Sequence, residues 1–253
     1  LDHVGSLPLI SRQQPQAPIF ATIPTKDIAL RMLHNTVTVM NIFRKEKGYL
    51  DYPFFEHEDL WPLEREIVGL EYNPFARSSA PARPGHGERV RLRGHTQAQF
   101  IPSGHVLGSA GLLIRHGKRN LYYTGDISLK DQALIPGALI PEAKIDTLIL
   151  ECTYANDPEY YSRNRPGEIE SFAAEASRIL SGGGCVLIPA FALGKTQELL
   201  FIIHRLIRQG LIPSVPLYIS GLGKGITEIY QEHQRYLRPQ ASTLSFELFS
   251  VLG

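Results

Sequence analysis

The order of apolar runs along the chain constrains its fold more than any other feature. Four short β-type runs follow one another between residues 89 and 124, at the spacing expected of a sheet. After residue 147 the pattern changes to continuous apolar runs that alternate with helical periodicity, which is typical of strands buried on both faces. This alternation predicts a parallel α/β layer. Its strands are expected at 147–150, 185–188 and 215–219, and its helices at 167–181 and 196–209, with a further helix at 222–236.

A long helix is predicted before the β-type runs. Apolar residues three and four positions apart begin at Ile28 and continue to Met40, and Thr25 is a reasonable N-cap. A short strand is expected just upstream, within 17–22. Residues 73–88 are rich in Pro, Ala, Arg, Ser and Gly and predict a loop.

Composition limits the class of protein without fixing its activity. Of the 253 residues, 43% are hydrophobic and 20% charged, which are ordinary values for a globular protein with a sizeable core. The net charge of +1 neither requires nor excludes a polyanionic substrate, because a basic groove can lie on a nearly neutral protein. Two cysteines make no disulfide framework, so we expect an intracellular setting such as a bacterial or archaeal cytoplasm. No apolar run approaches the ~20 residues that cross a membrane.

Four residues with metal-competent side chains lie at turns or at the ends of predicted strands. Imidazole and carboxylate groups suit zinc or another borderline divalent cation, and a carboxylate at a strand end can bridge two cations. Taken singly, each residue is more simply explained as a turn or solvated loop residue. Only their combination predicts a site, which would comprise Asp2, His3, His105 and Asp126.

The combination of motifs resembles one known family. Residues 1–8 (LDHVGSLP) look like the end of the H-x-H-x-D-H motif of the metallo-β-lactamase fold. Residues 104–110 (GHVLGSA) and 124–126 (TGD) are similar to that superfamily's third and fourth motifs. Residues 151–154 (ECTY) resemble motif A of its β-CASP branch, and 188–200 (IPAFALGKTQELL) is typical of the same branch. That branch contains ribonuclease J and the endonuclease subunit of the eukaryotic pre-mRNA cleavage machinery.

This resemblance implies an α/β fold with two parts. Residues 1–157 would form a metallo-β-lactamase αββα sandwich without its N-terminal strands, and residues 158–253 part of a parallel α/β β-CASP domain. The first two histidines of the H-x-H-x-D-H motif would precede residue 1, and motifs B and C would follow residue 253. We therefore expect an incomplete piece of a longer enzyme, inactive alone because metal affinity depends on the number of ligands.

The resemblance also implies a role for each candidate residue. Two divalent metal ions, zinc by preference, would be bound, with Asp2 and His3 on the second metal, His105 on the first and Asp126 between them. Asp2 and Glu151 would be the catalytic residues, with Glu151 orienting a histidine that arrives later in the chain.

Lys195 is the candidate contact to the substrate backbone. Gly194-Lys195-Thr196 follows a predicted strand as in a P-loop, but Pro189 occupies the position of the required glycine. The segment therefore predicts a strand-to-helix junction whose helix N-terminus could still hold a phosphate.

The implied activity is phosphodiester hydrolysis of single-stranded RNA. A DNA-directed nuclease, another hydrolase of the superfamily and a non-catalytic RNA-processing subunit are the alternatives. Motif A and residues 188–200 favour a nuclease over an enzyme that hydrolyses lactams or thioesters, whereas motif C would discriminate RNA from DNA. An inactive paralogue would be expected to lose metal ligands. Copies of the same chain or members of a processing complex are the expected partners, and a membrane is not.

Overall fold

A five-stranded sheet forms the centre of the computed structural model, which describes residues 3–75, 87–162 and 164–241. Its first four strands are antiparallel in chain order, and the fifth joins the edge in parallel. These strands confirm the predicted β-type runs. They are β3 Arg89–Arg91, β4 Thr96–Pro102, β5 Ala110–His116, β6 Arg119–Tyr123 and β7 Thr147–Ile149.

A second, two-stranded parallel sheet lies in the N-terminal part. It pairs β1 (Ile19–Thr22) with β2 (Ile67–Leu70), and the long helix α2 (Ile23–Lys47) connects them. The predicted strand and helix are thereby confirmed, but the predicted N-cap is wrong. Thr22 caps the helix by accepting the Thr25 N–H at 3.3 Å, because Thr22 is still extended whereas Thr25 already lies in the first turn. The shorter helices α1 (Leu7–Gln13) and α3 (Trp61–Glu66) flank this unit.

Four further α-helices follow in the described part of the chain, of which only α4 was not predicted. They are α4 (Pro158–Ser162), α5 (Arg165–Ser181), α6 (Lys195–Arg208) and α7 (Gly221–Glu232). The last three confirm the helices predicted at 167–181, 196–209 and 222–236, although α7 ends sooner and continues as a 3-10 turn, Gln234–Tyr236.

Two hydrophobic clusters explain how the parts are joined. One side of α2, with Leu33, Val37 and Met40, packs on residues from 55 to 67. The other cluster combines residues of α2 and α7 with the segment that follows β4, and contains Ile28, Leu107, Leu134, Ile226 and Tyr230 among its members. The loop after β4 therefore shares a core with the C-terminal helices.

The α/β class is confirmed, but the predicted parallel layer is wrong for the residues that the structure describes. Residues 185–188 and 215–219 do not form strands, and Leu187 and Tyr218 are 91% and 57% exposed. An apolar run becomes a strand only when a neighbour satisfies its backbone groups, and neither run pairs with another in the described ranges. β7 does form, yet Leu148 and Ile149 are about half exposed rather than buried on both faces.

Some of the predicted features have no counterpart among the described residues. Asp2 and residues 76–86 of the predicted loop fall outside them. The αββα sandwich and the boundary between residues 157 and 158 stay predictions.

Cys152 and Cys185 are exposed free thiols. Among the described residues, no helix combines the length and apolarity needed to cross a membrane.

Candidate metal centre

His105 lies in the tight loop of residues 103–109, which joins β4 to β5. The loop turns at Gly104 (φ +70°) and Gly108 (φ +82°), in the left-handed region that favours glycine. A Cβ at Gly104 would lie 2.6 Å from the Ser128 carbonyl oxygen and 2.8 Å from the Gly137 carbonyl carbon. The sequence pattern around His105 is therefore needed for the close approach of three backbone segments.

Side-chain hydrogen bonds fix the backbone on both sides of His105. The Ser109 hydroxyl accepts the backbone N–H groups of His105 and Val106 at 3.1 and 3.0 Å. The Gln132 amide nitrogen donates to the carbonyl oxygens of Gly104 and His105, both at 2.7 Å. Because Gln132 is itself buried, this contact holds the loop from the protein interior.

Two buried tyrosines complete the support of the loop. The Leu107 N–H donates to the Tyr230 hydroxyl at 3.2 Å, and the Gly108 N–H to the Tyr72 hydroxyl at 2.9 Å. Burial raises the pKa of both tyrosines, so their hydroxyls stay protonated at neutral pH. The position of the His105 backbone is thus set by residues from three distant parts of the chain.

Three of the four predicted ligands come together. The Nε2 atom of His3 lies 3.1 Å from Oδ2 of Asp126, and the Nε2 atom of His105 lies 3.7 Å from the same oxygen. Asp126 reaches this point because β6 ends at Tyr123 and the chain turns at Gly125 (φ +55°). The three side chains are 43–56% exposed, so the cluster is open to a ligand from solvent.

The electrostatic surroundings favour a neutral imidazole at His105. Desolvation is the largest cause that lowers the pKa of His105, and it is reinforced by the charges of Lys195 and His3. The carboxylates of Asp126 and Glu151 act in the opposite direction. A neutral ring presents the lone pair that a metal ligand requires.

Glu151, just after β7, is held by backbone groups. Its carboxylate oxygens accept the N–H of Thr153 at 2.8 Å and that of Ile127 at 3.3 Å. The hydrogen bond from Thr153 is the largest cause that lowers the pKa of Glu151, and the Ile127 N–H and His105 contribute in the same direction. The ionised Glu151 carboxylate therefore lies next to Ile127, the residue after Asp126.

The expected phosphate site at the start of α6 is not supported by the backbone. The Lys195 N–H already donates to the Leu193 carbonyl at 3.0 Å, and the Thr196 N–H to the Phe191 carbonyl at 3.2 Å. Donors that are satisfied within the chain are not available to an anion. The side chain of Lys195, whose charge acts on His105, remains the candidate contact to a phosphate.

Two buried polar residues at the start of α6 were not singled out from the sequence. Gln197 accepts the Gly194 N–H at 2.8 Å, and Glu198 accepts the backbone N–H groups of Ala133 and Leu134 at 2.8 and 2.6 Å. Glu198 also receives a hydrogen bond from Arg165 at 2.7 Å. Both lie on the apolar face of an amphipathic helix, where polar groups need internal partners. That position was the sequence signal that could have identified them. Glu198 thereby anchors the segment next to Gln132.

The donor types of the cluster suit a divalent cation, but His3, His105 and Asp126 are not placed as a metal-holding group. Across residues 3–75, 87–162 and 164–241, no three His, Cys, Asp or Glu side chains form a group able to hold a metal ion. The two imidazole nitrogens and one carboxylate that converge here are the ligand types that zinc prefers. The metal site stays a prediction, supported by this convergence.

Comparison with known proteins agrees with the motifs. Residues 196–252 match the Beta-Casp domain model. A transcription termination factor FttA from Methanosarcina mazei is 28% identical over 98% of this chain and 36% of its own length. A ribonuclease from Thermus thermophilus is 30% identical over 93% of this chain and 48% of its own length. An RNase J-like protein from Methanocaldococcus jannaschii is 26% identical over 96% of this chain and 51% of its own length.

The chain thus spans between about one third and one half of the length of these curated relatives. The similarity runs along nearly all of the chain. Residues 196–252 therefore resemble a β-CASP domain, and the chain as a whole is similar to proteins named as a ribonuclease, as RNase J-like and as a transcription termination factor.

Proposed function

We propose that this chain supplies part of the active site of a metal-dependent phosphodiester hydrolase that cleaves RNA in the intact protein. The observation that carries the proposal is the convergence of the His3 and His105 Nε2 atoms on one oxygen of Asp126. The relatives named as a ribonuclease and as RNase J-like support RNA as the substrate.

The intact protein would combine a metallo-β-lactamase sandwich, over residues 1–157 here, with a β-CASP domain that begins at residue 158. Two divalent cations, zinc by the preference of these ligands, would be held by Asp2, His3, His105 and Asp126. When bound, such ions supply Lewis acidity toward a phosphate oxygen and acidify water.

The chain's own groups would position the substrate and its proton donor. Glu151, kept ionised by backbone N–H groups, would orient a histidine from later in the intact protein, which would protonate the leaving oxygen. Lys195 would contact a backbone phosphate close to His105. His105, neutral because partial desolvation lowers its pKa, would need no change of protonation before use.

The substitution Asp126→Ala in the intact protein tests the proposal. We expect cleavage of a labelled single-stranded RNA to fall below about 1% of the wild-type rate, because loss of a ligand costs more than the ~100-fold typical of residues behind the ligands. Asp51→Ala, which removes an exposed carboxylate elsewhere, is the matched control. Unchanged cleavage by Asp126→Ala, with the fold intact by circular dichroism, would refute the proposal.

The same assay separates the alternatives. A single-stranded DNA of matching sequence is the second substrate, and preferential DNA cleavage would assign a DNA-directed nuclease instead. Metal content is measured by mass spectrometry on the intact protein before the assay. Protein that carries no zinc and cleaves neither strand, even after zinc is added, would be a non-catalytic subunit.

A further inference from the structure

A cavity of about 490 Å³ opens beside the second half of α6, and none of its lining residues belongs to the Asp126 cluster. Its wall is formed by α6, by the segment after α7 and by Ala133. Three of its lining residues are arginines, Arg205, Arg208 and Arg238, and His204 lies among them. The lining contains no carboxylate, so the cavity has an excess of positive charge.

Arg205 and Arg208 bring two like charges together. They are three positions apart on α6, where neighbouring cations repel each other. Both are exposed, and within the described ranges neither forms an ion pair. The end of a helix stabilises basic residues in its last turn. That effect does not explain why a third guanidinium reaches the same cavity from another segment.

Arg238 is that third group, and it is held in place. Its Nη1 donates to the Gln132 carbonyl oxygen at 2.6 Å, and its Nη2 lies 3.7 Å from a carboxylate oxygen of Asp131. Its backbone N–H donates to the Leu134 carbonyl at 2.8 Å. A guanidinium held at two points, on a backbone that is itself hydrogen-bonded, is preorganised, so little side-chain entropy would be lost when an anion binds.

The nearby titratable groups do not neutralise the cavity. Desolvation first, and the charge of Arg208 second, lower the pKa of His204, so its imidazole is neutral at physiological pH. The Glu198 carboxylate, further up α6, already accepts three hydrogen bonds, from Ala133, Leu134 and Arg165. Asp131 lies beside Arg238 and offsets one of the three positive charges.

The segment 131–134 connects the wall of this cavity to the loop that carries His105. Ala133 lines the cavity, whereas the neighbouring Gln132 amide holds the carbonyl oxygens of Gly104 and His105. Planar guanidinium groups recognise phosphate by paired hydrogen bonds, and arginines that reach one cavity from two segments suit a chain of phosphates better than a single ion.

We propose that this arginine cavity binds the phosphodiester backbone of a single nucleic acid strand, as a contact site separate from the metal centre. The identification of the strand as RNA rests on the proposed function, whereas the binding of a phosphodiester backbone does not. Contacts of this kind carry affinity without sequence preference and weaken as salt rises.

The test is a binding measurement on the intact protein with a chelator present. A fluorescently labelled oligouridylate of about ten nucleotides is titrated at several salt concentrations, and its anisotropy gives the Kd. The variant carries Arg205→Gln and Arg208→Gln. The control carries Arg44→Gln and Lys45→Gln on α2, which removes two exposed positive charges from another surface.

We expect the cavity variant to bind the oligonucleotide about fivefold more weakly or worse, and the control to bind as the wild type does. The slope of log Kd against log salt should fall by about 0.7 for each phosphate that the variant no longer binds. Because chelation stops metal-dependent cleavage, a failed cleavage assay leaves this measurement intact and the two proposals fail separately.

Equal affinities for the cavity variant and the wild type would overturn the proposal, provided that circular dichroism shows both to be folded. So would displacement of the strand by inorganic phosphate at the same concentration of phosphate groups, which would identify a free anion as the ligand. Tighter binding of an oligoglutamate peptide than of the oligonucleotide would assign the cavity to an acidic protein partner and would also overturn it.

Discussion

The two segments that carry His105 and Glu151 are built in opposite ways. The loop of residues 103–109 is held by Gln132, Tyr72 and Tyr230, all buried, and its glycines touch other backbone segments. The segment of Glu151 follows the edge strand β7, whose apolar side chains are about half exposed, and is held by hydrogen bonds to residues 124, 127 and 153.

His105 and Glu151 are therefore positioned by different kinds of contact. His105 depends on tertiary packing from both the N-terminal and the C-terminal parts of the chain, so it can be displaced by a change far from it in sequence. Glu151 depends on hydrogen bonds to residues 124, 127 and 153. These bonds can persist even though the preceding strand β7 is partly exposed. Changes that loosen the loop should therefore disturb His105 more than Glu151.

The largest effect is expected from Gly104→Ala. The left-handed backbone costs an alanine ~1–2 kcal/mol, and the close contacts with Ser128 and Gly137 add ~1–3 kcal/mol of overpacking. Gly94→Ala is the matched control, because its φ is +64° and no atom lies within 4 Å of the added Cβ. Urea unfolding should show that Gly94→Ala retains the greater stability. Equal losses would mean that the loop is not tightly packed.

A smaller effect is expected from Tyr230→Phe. Removal of the hydroxyl leaves the buried Leu107 N–H without its acceptor, which should lower the free energy of unfolding by ~1–2 kcal/mol. Tyr122→Phe on β6, beside β7, is the control, since among the described residues its buried hydroxyl has no hydrogen-bond partner. That change should be neutral or slightly stabilising in thermal or urea unfolding. A greater loss in Tyr122→Phe than in Tyr230→Phe would contradict this assignment of support to the loop.

The same contrast explains which parts of the fold were predictable from the sequence. Strands β4, β5 and β6 are joined in chain order, so local alternation and turn residues were sufficient to locate them. The apolar runs at 185–188 and 215–219 predict strands as strongly as the runs of β4, β5 and β6 do. A strand in a parallel layer, however, depends on partners distant in sequence. In the described residues those partners are not formed, and local apolarity alone could not reveal it.

The candidate site was predictable to a similar extent. Glycines at sharp turns mark the positions of His105 and Asp126, and their approach to His3 agrees with the motif order. Gln132 and Glu198 could not be assigned in the same way. Their roles depend on which distant backbone groups need partners after folding, and no local pattern encodes that.

The smallest expected effect is a difference in how the stability contributions of His105 and Glu151 depend on pH. It is measured on protein from which metal has been removed with a chelator. Because partial desolvation lowers the pKa of His105, the unfolded chain takes up its proton first, and the contribution of His105 to stability is lost as pH falls below about 6.5. The pKa of Glu151 is also lowered, but an acid with a usual pKa of about 4.3 contributes stability that is lost only in a more acidic window. Nuclear magnetic resonance titration of the His105 ring should therefore show a midpoint below about 6.5, and His105→Ala should remove that part of the pH dependence of unfolding. A midpoint above this value would show that the carboxylates of Asp126 and Glu151 outweigh desolvation, and that the loop is more open to water than its packing indicates.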